Sequence, residues 1–402
     1  MSTRILYITY DGLLEPLGQS QVLRYLEGLS SSYEIYILSF EKSHDWDNDT
    51  ERDRLKKQVR AKQIHWIPLK YHKSPTALAT SFDIVQGLLI AFMLVLIKRI
   101  KIVHARSYVP SVIALALRKI LGIKFIFDMR GFWADERVDA DLWAKDSFLY
   151  LTAKWFEKQF LLNADSVVSL TKAAINEINK FTYLKNKNLS IYHITTCTDL
   201  NFFKINREKL YLNKNKLIVG YVGSASGWYL FDTVIKFFKY LQNKNSSGCF
   251  FKILNKGEHD YINQKIQQEQ ISPDSFSIES VLPSSIPQKY AEMHLVIFFI
   301  KPAYSKIASS PTKLGELLAC GLPCVTNDGI GDMTEIIETE KVGVVLRNFD
   351  DLSMVEAVNN IIDLLNDSEL SKRCRYTAEK YFSLEEGIKK YKQIYSQFEK
   401  KR

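Results

Sequence analysis

The stretch 309–331 holds the residues whose types and spacing best suit chemistry. Ser310 is a good helix N-cap residue and Pro311 fits the first helical position, so a helix is predicted to begin here and to end at Gly321. The free backbone amides at a helix N-terminus attract an anion. Glu316, in the second turn, would then lie within reach of a hydroxylated group attached to that anion. The pattern predicts a site for the diphosphate and ribose of a sugar nucleotide.

Small or basic residues follow several predicted strands. Gly18 and Gln19 lie in the loop after the first strand, where a glycine lets the backbone approach a ligand closely. Gly223 and Ser224 follow a later strand and would leave room for a diphosphate, which Lys256, after the next strand, could reach. These five residues are candidates for donor binding. The alternatives are a plain strand–helix turn in the first loop and a solvated lysine at Lys256.

Charged side chains follow two further predicted strands in the first half. His104 lies at the end of one, and Asp128 and Arg130 follow the other. Ligands collect at the carboxyl ends of the strands in open α/β sheets. The three residues are therefore the candidate catalytic residues, expected to orient an acceptor hydroxyl and the transferred sugar. A structural histidine, and an ion pair that holds the loop, are the alternatives.

The elements that must position these residues alternate between short apolar runs and helical segments, which predicts an α/β chain with parallel sheets covered on both faces. The predicted strands are 4–9, 34–40, 64–68, 101–104, 124–127, 165–169, 217–222, 249–254, 275–278, 295–299, 323–326 and 343–346. The predicted helices are 19–31, 49–62, 80–99, 110–121, 147–163, 171–180, 229–243, 258–269, 286–292, 311–320, 332–338 and 351–366, followed by terminal helices within 369–399. The two series predict two Rossmann-like domains, with a boundary in the polar stretch 206–216.

Composition places the chain among ordinary globular proteins. It has 402 residues, of which 46% are hydrophobic and 25% charged. The net charge of +9 is uneven, because residues 1–204 carry 28 basic and 21 acidic side chains. A basic first half favours an anionic partner such as nucleic acid, acidic lipid headgroups or a phosphorylated substrate, with ordinary solvated lysines as the alternative.

Cysteine and histidine spacing predicts no metal site. The five cysteines form no CxxC pair, and the seven histidines show no HExxH. The chain begins with a strand-like run and lacks the features of a secretory signal, so a cytoplasmic protein with reduced thiols is expected. The longest apolar run, 84–97, is short for a transmembrane span. A buried core helix is the favoured interpretation of this run, and an interfacial membrane helix is the alternative.

Together these residues resemble the family 4 glycosyltransferases of the GT-B fold, also called glycosyl transferases group 1. The resemblance spans nearly the whole chain and rests on 16–19, Gly223 with Ser224, 310–316 and 319–323. It implies two doubly wound domains that face a central cleft, with C-terminal helices that cross back to the N-terminal domain. The implied parts are listed from the N-terminus: an acceptor-binding domain over 1–205, a nucleotide-sugar donor-binding domain over 206–380 and the returning helix over 381–402.

The resemblance also assigns roles by position. Glu316 matches the glutamate that binds the donor ribose, and the run Pro311, Thr312, Lys313 and Leu314 matches the helix start at the donor phosphates.

Two departures from the family pattern are visible. Ala308 stands where the family often has a first glutamate, and the usual Arg and Lys are missing from 223–229. The candidates for the missing positive charge are Lys313, Lys306, Lys256, Arg130 and Arg106.

The function implied by the resemblance is that of a metal-independent, retaining, hexosyltransferase-like enzyme. It would move a sugar from a UDP- or GDP-linked donor to a glycan or lipid-linked acceptor in cell-surface polysaccharide synthesis. No cofactor and no nucleic acid partner are expected, while an anionic membrane surface is an expected partner of a cytoplasmic, peripheral protein. Two alternatives stay open: a sugar-nucleotide epimerase of the same fold, and a degenerate subunit that binds a sugar nucleotide without catalysis, which Ala308 keeps open.

Overall fold

Two parallel sheets with flanking helices make up the described parts of the chain. The structure is a computed structural model that describes residues 2–205, 216–245 and 248–399. The predicted domain boundary, 206–216, lies almost entirely outside these residues. The α/β class predicted from the alternation of strands and helices is confirmed.

The chain divides into two units. Unit 1 comprises residues 1–195 together with 384–402, and unit 2 comprises residues 196–383. Each unit contains one of the two sheets, so each builds its own core.

Unit 1 holds a parallel sheet in the order β3-β2-β1-β4-β5-β6-β7. Its strands are β1 (Arg4–Thr9), β2 (Glu34–Glu41), β3 (His65–Lys70), β4 (Ile102–Arg106), β5 (Lys124–Asp128), β6 (Ser166–Ser169) and β7 (Ile191–His193). Its helices are α1 (Pro16–Gly18), α2 (Arg24–Leu29), α3 (Ser43–Trp46), α4 (Asp49–Ala61), α5 (Thr76–Lys98), α6 (Tyr108–Leu121), α7 (Trp133–Asp139), α8 (Phe148–Asn163) and α9 (Lys172–Ile178), with the C-terminal α17 (Leu384–Gln397). Continuous apolar strands such as β1 suit a sheet that is covered on both faces.

Unit 2 holds a second parallel sheet, in the order β10-β9-β8-β11-β12-β13. Its strands are β8 (Leu217–Val222), β9 (Cys249–Leu254), β10 (Phe276–Glu279), β11 (Leu295–Ile297), β12 (Cys324–Asn327) and β13 (Gly343–Leu346). Its helices are α10 (Phe231–Lys244), α11 (His259–Gln268), α12 (Ile286–Ala291), α13 (Thr312–Ala319), α14 (Met333–Glu340), α15 (Asp351–Leu365) and α16 (Leu370–Phe382). Buried apolar clusters lie on both faces of this sheet.

The predicted strands are confirmed, and four of them, β1, β8, β9 and β13, have the predicted bounds. The sequence pattern does not reveal β7, because three residues are too few to show a periodicity. The first predicted helix differs more. A single helix over 19–31 was expected, whereas the structure has α1, a π-helical turn over Gln19–Leu23 and then α2.

The returning C-terminal helix is confirmed. Helix α17 belongs to unit 1, where it packs beside α2. The Tyr391 ring lies 5.5 Å from that of Tyr25, and the Tyr395 ring lies 5.2 Å from that of Tyr33. These aromatic pairs bury the apolar anchors that the C-terminal sequence provides.

Helix α5 is not the buried core helix that the run 84–97 favoured. Only one narrow stripe of it is buried, and large apolar side chains on the opposite stripe are exposed. By length and composition, α5 is the one helix of the described chain that is apolar enough to cross a membrane.

Candidate functional site

The start of α13 leaves backbone donors free. The helix begins at Thr312, one residue later than predicted, and Pro311 is its N-cap. The amides of Thr312 and Lys313 have no acceptor among the described residues. Ser310 does not cap the helix, because its hydroxyl lies 2.8 Å from Oγ1 of Thr196. The N-cap prediction for Ser310 is therefore wrong, but two free amides point out of the helix start.

The amide of Leu314, unlike those of Thr312 and Lys313, is already bonded within the helix start. Its amide donates to the carbonyl of Pro311 over 3.1 Å, and its side chain lies in the core with Leu317 and Leu318. Pro311 has no N–H to offer. Gly321 ends the helix as predicted, with φ +73°.

Lys313 carries a buried ammonium group at the same helix start. Nζ donates to the carbonyl of Val222 over 2.7 Å and lies 3.9 Å from the centre of the Tyr229 ring. A Cβ on Gly223 would lie 3.0 Å from this nitrogen, so the space above that glycine borders the positive charge. Burial lowers the pKa of Lys313 to about 7, and Glu316 partly opposes this effect. An anion near the ammonium would restore its charge.

Glu316 lies one turn further along α13. Its carboxylate makes no hydrogen bond, and no ion pair within 4.0 Å, with any described residue. Burial raises its pKa to about 7, although the charge of Lys313 acts in the opposite direction. A shielded carboxylate without a partner has unused acceptor capacity, which hydroxyl groups of a ligand would satisfy.

The loop after β8 is held by a carboxylate that the sequence analysis did not single out. Glu258 accepts the amides of Ala225 over 2.8 Å and of Ser226 over 3.1 Å. Gly223 opens the loop with φ +113°, a conformation that favours glycine. Ser224 is exposed beside it. Two of the loop amides are thus occupied within the protein, and the Lys313 ammonium lies against Gly223.

The cations of unit 2 differ in their placement. Lys256 is exposed, and no described residue contacts its side chain. Lys306 is buried, and its Nζ lies 3.6 Å from the centre of the Trp228 ring. Ala308, at the position where the family often has a glutamate, is also buried. Lys313 is thus the cation placed most directly at the helix start.

In unit 1, Gly18 and Gln19 have packing roles. A Cβ on Gly18 would lie 1.9 Å from the carbonyl oxygen of Gly12, so two stretches of backbone meet there. The amide group of Gln19 contacts Glu51 at 3.3 Å and Arg54 at 2.9 Å. These contacts give both residues a structural purpose within the unit, and their role in donor binding stays a prediction.

The first loop of unit 1 is also held by a carboxylate. Glu41, at the end of β2, accepts the amides of Leu13 over 2.9 Å and of Leu14 over 3.2 Å. Burial raises the pKa of Glu41. Glu41 and Glu258 therefore do the same work in the two units: each fixes the loop that follows the first strand of its sheet.

His104 and Asp128 form a buried polar cluster in unit 1. His104 is 1% exposed, and its Nδ1 lies 2.7 Å from the Tyr395 hydroxyl on α17. Its Nε2 lies 3.5 Å from Oδ2 of Asp128, which accepts from the Tyr391 hydroxyl over 3.1 Å. Burial lowers the pKa of His104. Burial acts to raise the pKa of Asp128, but Arg130 and His104 outweigh it and hold that pKa below its usual value.

All three candidate residues of this cluster have unsatisfied groups. Nε and Nη1 of Arg130, Nε2 of His104 and Oδ1 of Asp128 are buried and make no hydrogen bond with the described residues, and Nη1 of Arg130 lies 3.8 Å from Oδ1 of Asp128. The φ of Arg130, +57°, is strained for a residue with a side chain. Arg106 differs, since its Nε donates to Asp11 over 3.0 Å. Arg130 thus retains two donor atoms for a ligand, whereas His104 and Asp128 each also bond to a tyrosine of α17.

A comparison with family models finds one match. Residues 202–381 match the model for glycosyl transferases group 1. The matched segment is similar to a glycosyl transferases group 1 domain and makes up less than half of the chain. The match contains α13 with Lys313 and Glu316, and it lies outside the polar cluster of unit 1. No curated protein sequence matches the chain.

Solved structures share the whole fold. A sucrose-phosphate synthase from Thermosynechococcus elongatus aligns with a TM-score of 0.76 at 14% identity, over 98% of this chain and 99% of its own. A glycosyltransferase from Rickettsia africae aligns with a TM-score of 0.69 at 15% identity over 100% of both chains. Alr3699/HepE of Anabaena, in complex with UDP-glucose, aligns with a TM-score of 0.67 at 13% identity, over 98% and 99%. These likenesses confirm the two-domain GT-B fold.

Within the matched segment 202–381, the sequence analysis missed residues that bond to the backbone of the loop after β8. Glu258 fixes the loop at Gly223, and Asn255 supports it by accepting the amide of Gly257 over 3.0 Å and donating to the carbonyl of Gly223 over 3.0 Å. The signal that could have found them is a polar pair directly after β9, at the sheet edge where ligands collect. Among the described residues, no three His, Cys, Asp or Glu side chains lie close enough to hold a metal ion.

Proposed function

We propose that this chain is a retaining glycosyltransferase of hexosyltransferase type, related to family 4. It would move a sugar from a nucleotide-diphosphate sugar to a glycan or lipid-linked acceptor in cell-surface polysaccharide synthesis. The observation that carries the proposal is the start of α13. Two free amides, a buried ammonium group and a carboxylate without a partner lie within the first five residues of this helix.

The donor would be held by these groups in a fixed order. The amides of Thr312 and Lys313 and the Lys313 ammonium would bind the diphosphate, since a helix N-terminus favours negative charge. Gly223, which has no side chain, would let the phosphates approach the backbone beside the Lys313 ammonium. Glu316 would then accept hydrogen bonds from the ribose hydroxyls. Lys256, being exposed, would contribute only a long-range attraction to the phosphates.

The protein would contribute to the reaction by positioning the donor and the acceptor and by stabilising the charge that develops. The bond between the sugar anomeric carbon and the diphosphate oxygen breaks while the acceptor oxygen bonds to that carbon from the same side. The acceptor proton passes to the leaving phosphate oxygen. Charge develops on the β-phosphate, where Lys313 and the helix amides stabilise it without a metal. No nucleophile from the enzyme is required.

The polar cluster of unit 1 would serve the acceptor side. Arg130 has the free donors and would contact the acceptor or the transferred sugar. Asp128, whose Oδ1 lies 3.8 Å from Nη1 of Arg130, would hold that side chain, and His104 would in turn hold Asp128. Their proposed role is thus positioning, which is a narrower role than the sequence suggested.

The donor base is proposed to be uracil, with guanine as the second choice. Three of the solved structures similar to this chain are complexes of Anabaena Alr3699/HepE with UDP, with UDP and glucose, and with UDP-glucose. The E. coli trehalose-6-phosphate structure is titled as bound with UDP-2-fluoro glucose. We place the enzyme in the cytoplasm, at the inner face of the membrane.

Nucleotide release tests the proposal. The full chain is incubated with UDP- and GDP-linked sugars that a thermal-shift panel has selected, with and without a crude lipid-linked glycan acceptor. We expect a donor to raise the melting temperature, and acceptor to increase the release of nucleoside diphosphate. A donor that neither stabilises the protein nor releases diphosphate under any condition would contradict the proposal.

One observation favours a second candidate. Ala308 replaces a frequent family glutamate, which fits a subunit that binds a sugar nucleotide without transferring the sugar. That candidate predicts a raised melting temperature and no release of diphosphate. A sugar-nucleotide epimerase would instead convert the donor sugar without an acceptor, so analysis of the recovered nucleotide sugar, added to the release assay, separates all three.

A further inference from the structure

Helix α5 exposes a continuous apolar stripe. Between residues 82 and 97, every exposed side chain on this helix is large and apolar. The stripe, called here the α5 face, consists of Phe82, Val85, Leu89, Met93, Leu96 and Ile97. Their spacing of three and four residues places them on one side of the helix. Exposed apolar patches of this extent are typical of interaction surfaces.

The opposite stripe of α5 fastens the helix to unit 1. Gly87 packs so closely that a Cβ would lie 2.8 Å from Ile113 and 2.9 Å from Phe40. Asp83, which is fully buried, accepts from the Tyr10 hydroxyl over 2.8 Å and from the backbone amide of His72 over 3.1 Å. Crossing a bilayer would break these contacts and carry a buried carboxylate into hydrocarbon. The helix is therefore built to lie on a surface.

Large apolar side chains are also exposed on the neighbouring helices α6 and α8. Helix α6 packs against both α5 and α8. Ile120 on α6 is 62% exposed, and Phe148 and Trp155 on α8 are 81% and 54% exposed. Aromatic side chains of this kind favour the boundary between lipid headgroups and hydrocarbon.

The charged residues in the segment from α5 to β5 have one sign. Residues 84–127 contain seven Lys and Arg and no Asp or Glu. Lys98, Arg99, Lys101 and Lys119 are exposed, and their side chains make no hydrogen bond or ion pair with the described residues. A helix with an apolar face and cations at its end is typical of segments that lie in an anionic membrane interface.

We propose that the α5 face docks on the surface of an anionic lipid bilayer. The apolar side chains enter the headgroup boundary, and the cations at the end of α5 meet lipid phosphates. The occupant is a lipid surface because the six exposed side chains of the α5 face are all apolar and exposed cations follow at the end of the helix, which suits hydrocarbon bordered by headgroup phosphates. The inference does not rest on the proposed function, since it uses no residue of the candidate donor site.

Vesicle sedimentation of the full chain tests this proposal. The vesicles are phosphatidylcholine, with or without phosphatidylglycerol. We expect the protein to sediment with the anionic vesicles, and added salt to weaken the binding. The double variant Leu89→Ser/Met93→Ser should lower the partition coefficient roughly tenfold or more, because two large apolar side chains no longer enter the membrane. Its matched control is Leu352→Ser/Val355→Ser, two exposed apolar residues on α15, which should bind as the parent does.

A double charge-reversal variant tests the contribution of the cations to membrane binding. Lys98→Glu/Lys119→Glu should weaken binding to anionic vesicles by about fivefold or more per residue, and change little with neutral vesicles. Lys57→Glu/Lys62→Glu, at exposed positions on α4 and directly after it, is the control with the same change of net charge.

Three outcomes would overturn the proposal. Equal vesicle binding of the α5 variants and their controls would show that the α5 face does not bind the membrane. A dimer in lipid-free solution that Leu89→Ser/Met93→Ser dissociates would show that a second copy covers the face. Resistance of membrane-bound protein to alkaline carbonate would show a span. Release of diphosphate from a water-soluble donor is measured alongside, because failure of the proposed function would abolish it in every variant while leaving vesicle binding unchanged.

Discussion

Lys313→Met is expected to lower kcat for sugar transfer by about 100- to 1,000-fold, the effect of removing one donor aimed at developing charge. The Lys313 ammonium uses one N–H for the Val222 carbonyl and lies beside Gly223, where a Cβ would be 3.0 Å from Nζ. Methionine retains the length and apolar stem but has no charge. The loss should fall on kcat as well as on donor affinity, because the β-phosphate becomes more negative as the bond to the sugar breaks.

Steady-state release of nucleoside diphosphate measures this effect, and thermal unfolding accompanies it. Because burial lowers the pKa of Lys313 to about 7, the neutral variant removes a costly buried charge, and the melting temperature should change little. Lys236→Met is the control, since Lys236 pairs with Asp351 at the surface of the same unit. A Lys313→Met enzyme with unchanged kcat would take the ammonium group out of the mechanism.

Glu316→Gln is expected to weaken nucleotide binding by about 10- to 100-fold, or about 1.5–3 kcal/mol, the value of hydrogen bonds to a charged group. The same variant should not destabilise the protein. Burial raises the pKa of Glu316 from 4.5 to about 7. The stability that this group contributes is fully present below its unfolded pKa and is lost as the pH rises through about 7. Above that pH the ionised carboxylate is a cost, which glutamine removes.

Two measurements on Glu316→Gln therefore move in opposite directions. Titration calorimetry with the nucleotide should show the loss of affinity, while thermal unfolding at about pH 8 should show a melting temperature equal to or above that of the parent. Glu335→Gln is the control, because Glu335 is exposed on α14. A variant that loses both affinity and stability would point to a structural role for Glu316, and one that loses neither would place the ribose elsewhere.

The sequence predicts those features of this site that depend only on residues close together in the chain. The start of a helix near Pro311 and its end at Gly321 follow from backbone preferences of single residues, and the structure has both within one residue. The strands β8, β9 and β13 follow from short apolar runs between turns. The position of Glu316 one turn into α13 follows from helix geometry alone.

What the sequence could not predict depends on contacts between distant residues. Ser310 has the composition of an N-cap, but Thr196 takes its hydroxyl. His104 looks accessible at a sheet edge until α17 covers it with Tyr395, 291 positions away. The burial of Lys313 and the missing partner of Glu316 likewise emerge only when α13 packs against the end of β8.

Helix α5 is a second case in which contacts between distant residues decide the outcome. Here they leave exposed a face that the sequence predicts to be buried. Its apolar run indicates burial, because most such runs in globular chains are core helices. Which stripe faces the protein is decided by Gly87 and Asp83 and their partners on other elements. The interfacial interpretation, the less favoured alternative at the level of sequence, is the one that the exposed stripe supports.

A crystal structure of the chain with UDP tests the central claim most directly. The account predicts that diphosphate oxygens lie about 3 Å from the amides of Thr312 and Lys313, and that both ribose hydroxyls donate to Glu316. Electron density for the nucleotide at another place on unit 2, with the Glu316 carboxylate still without a partner, would contradict it.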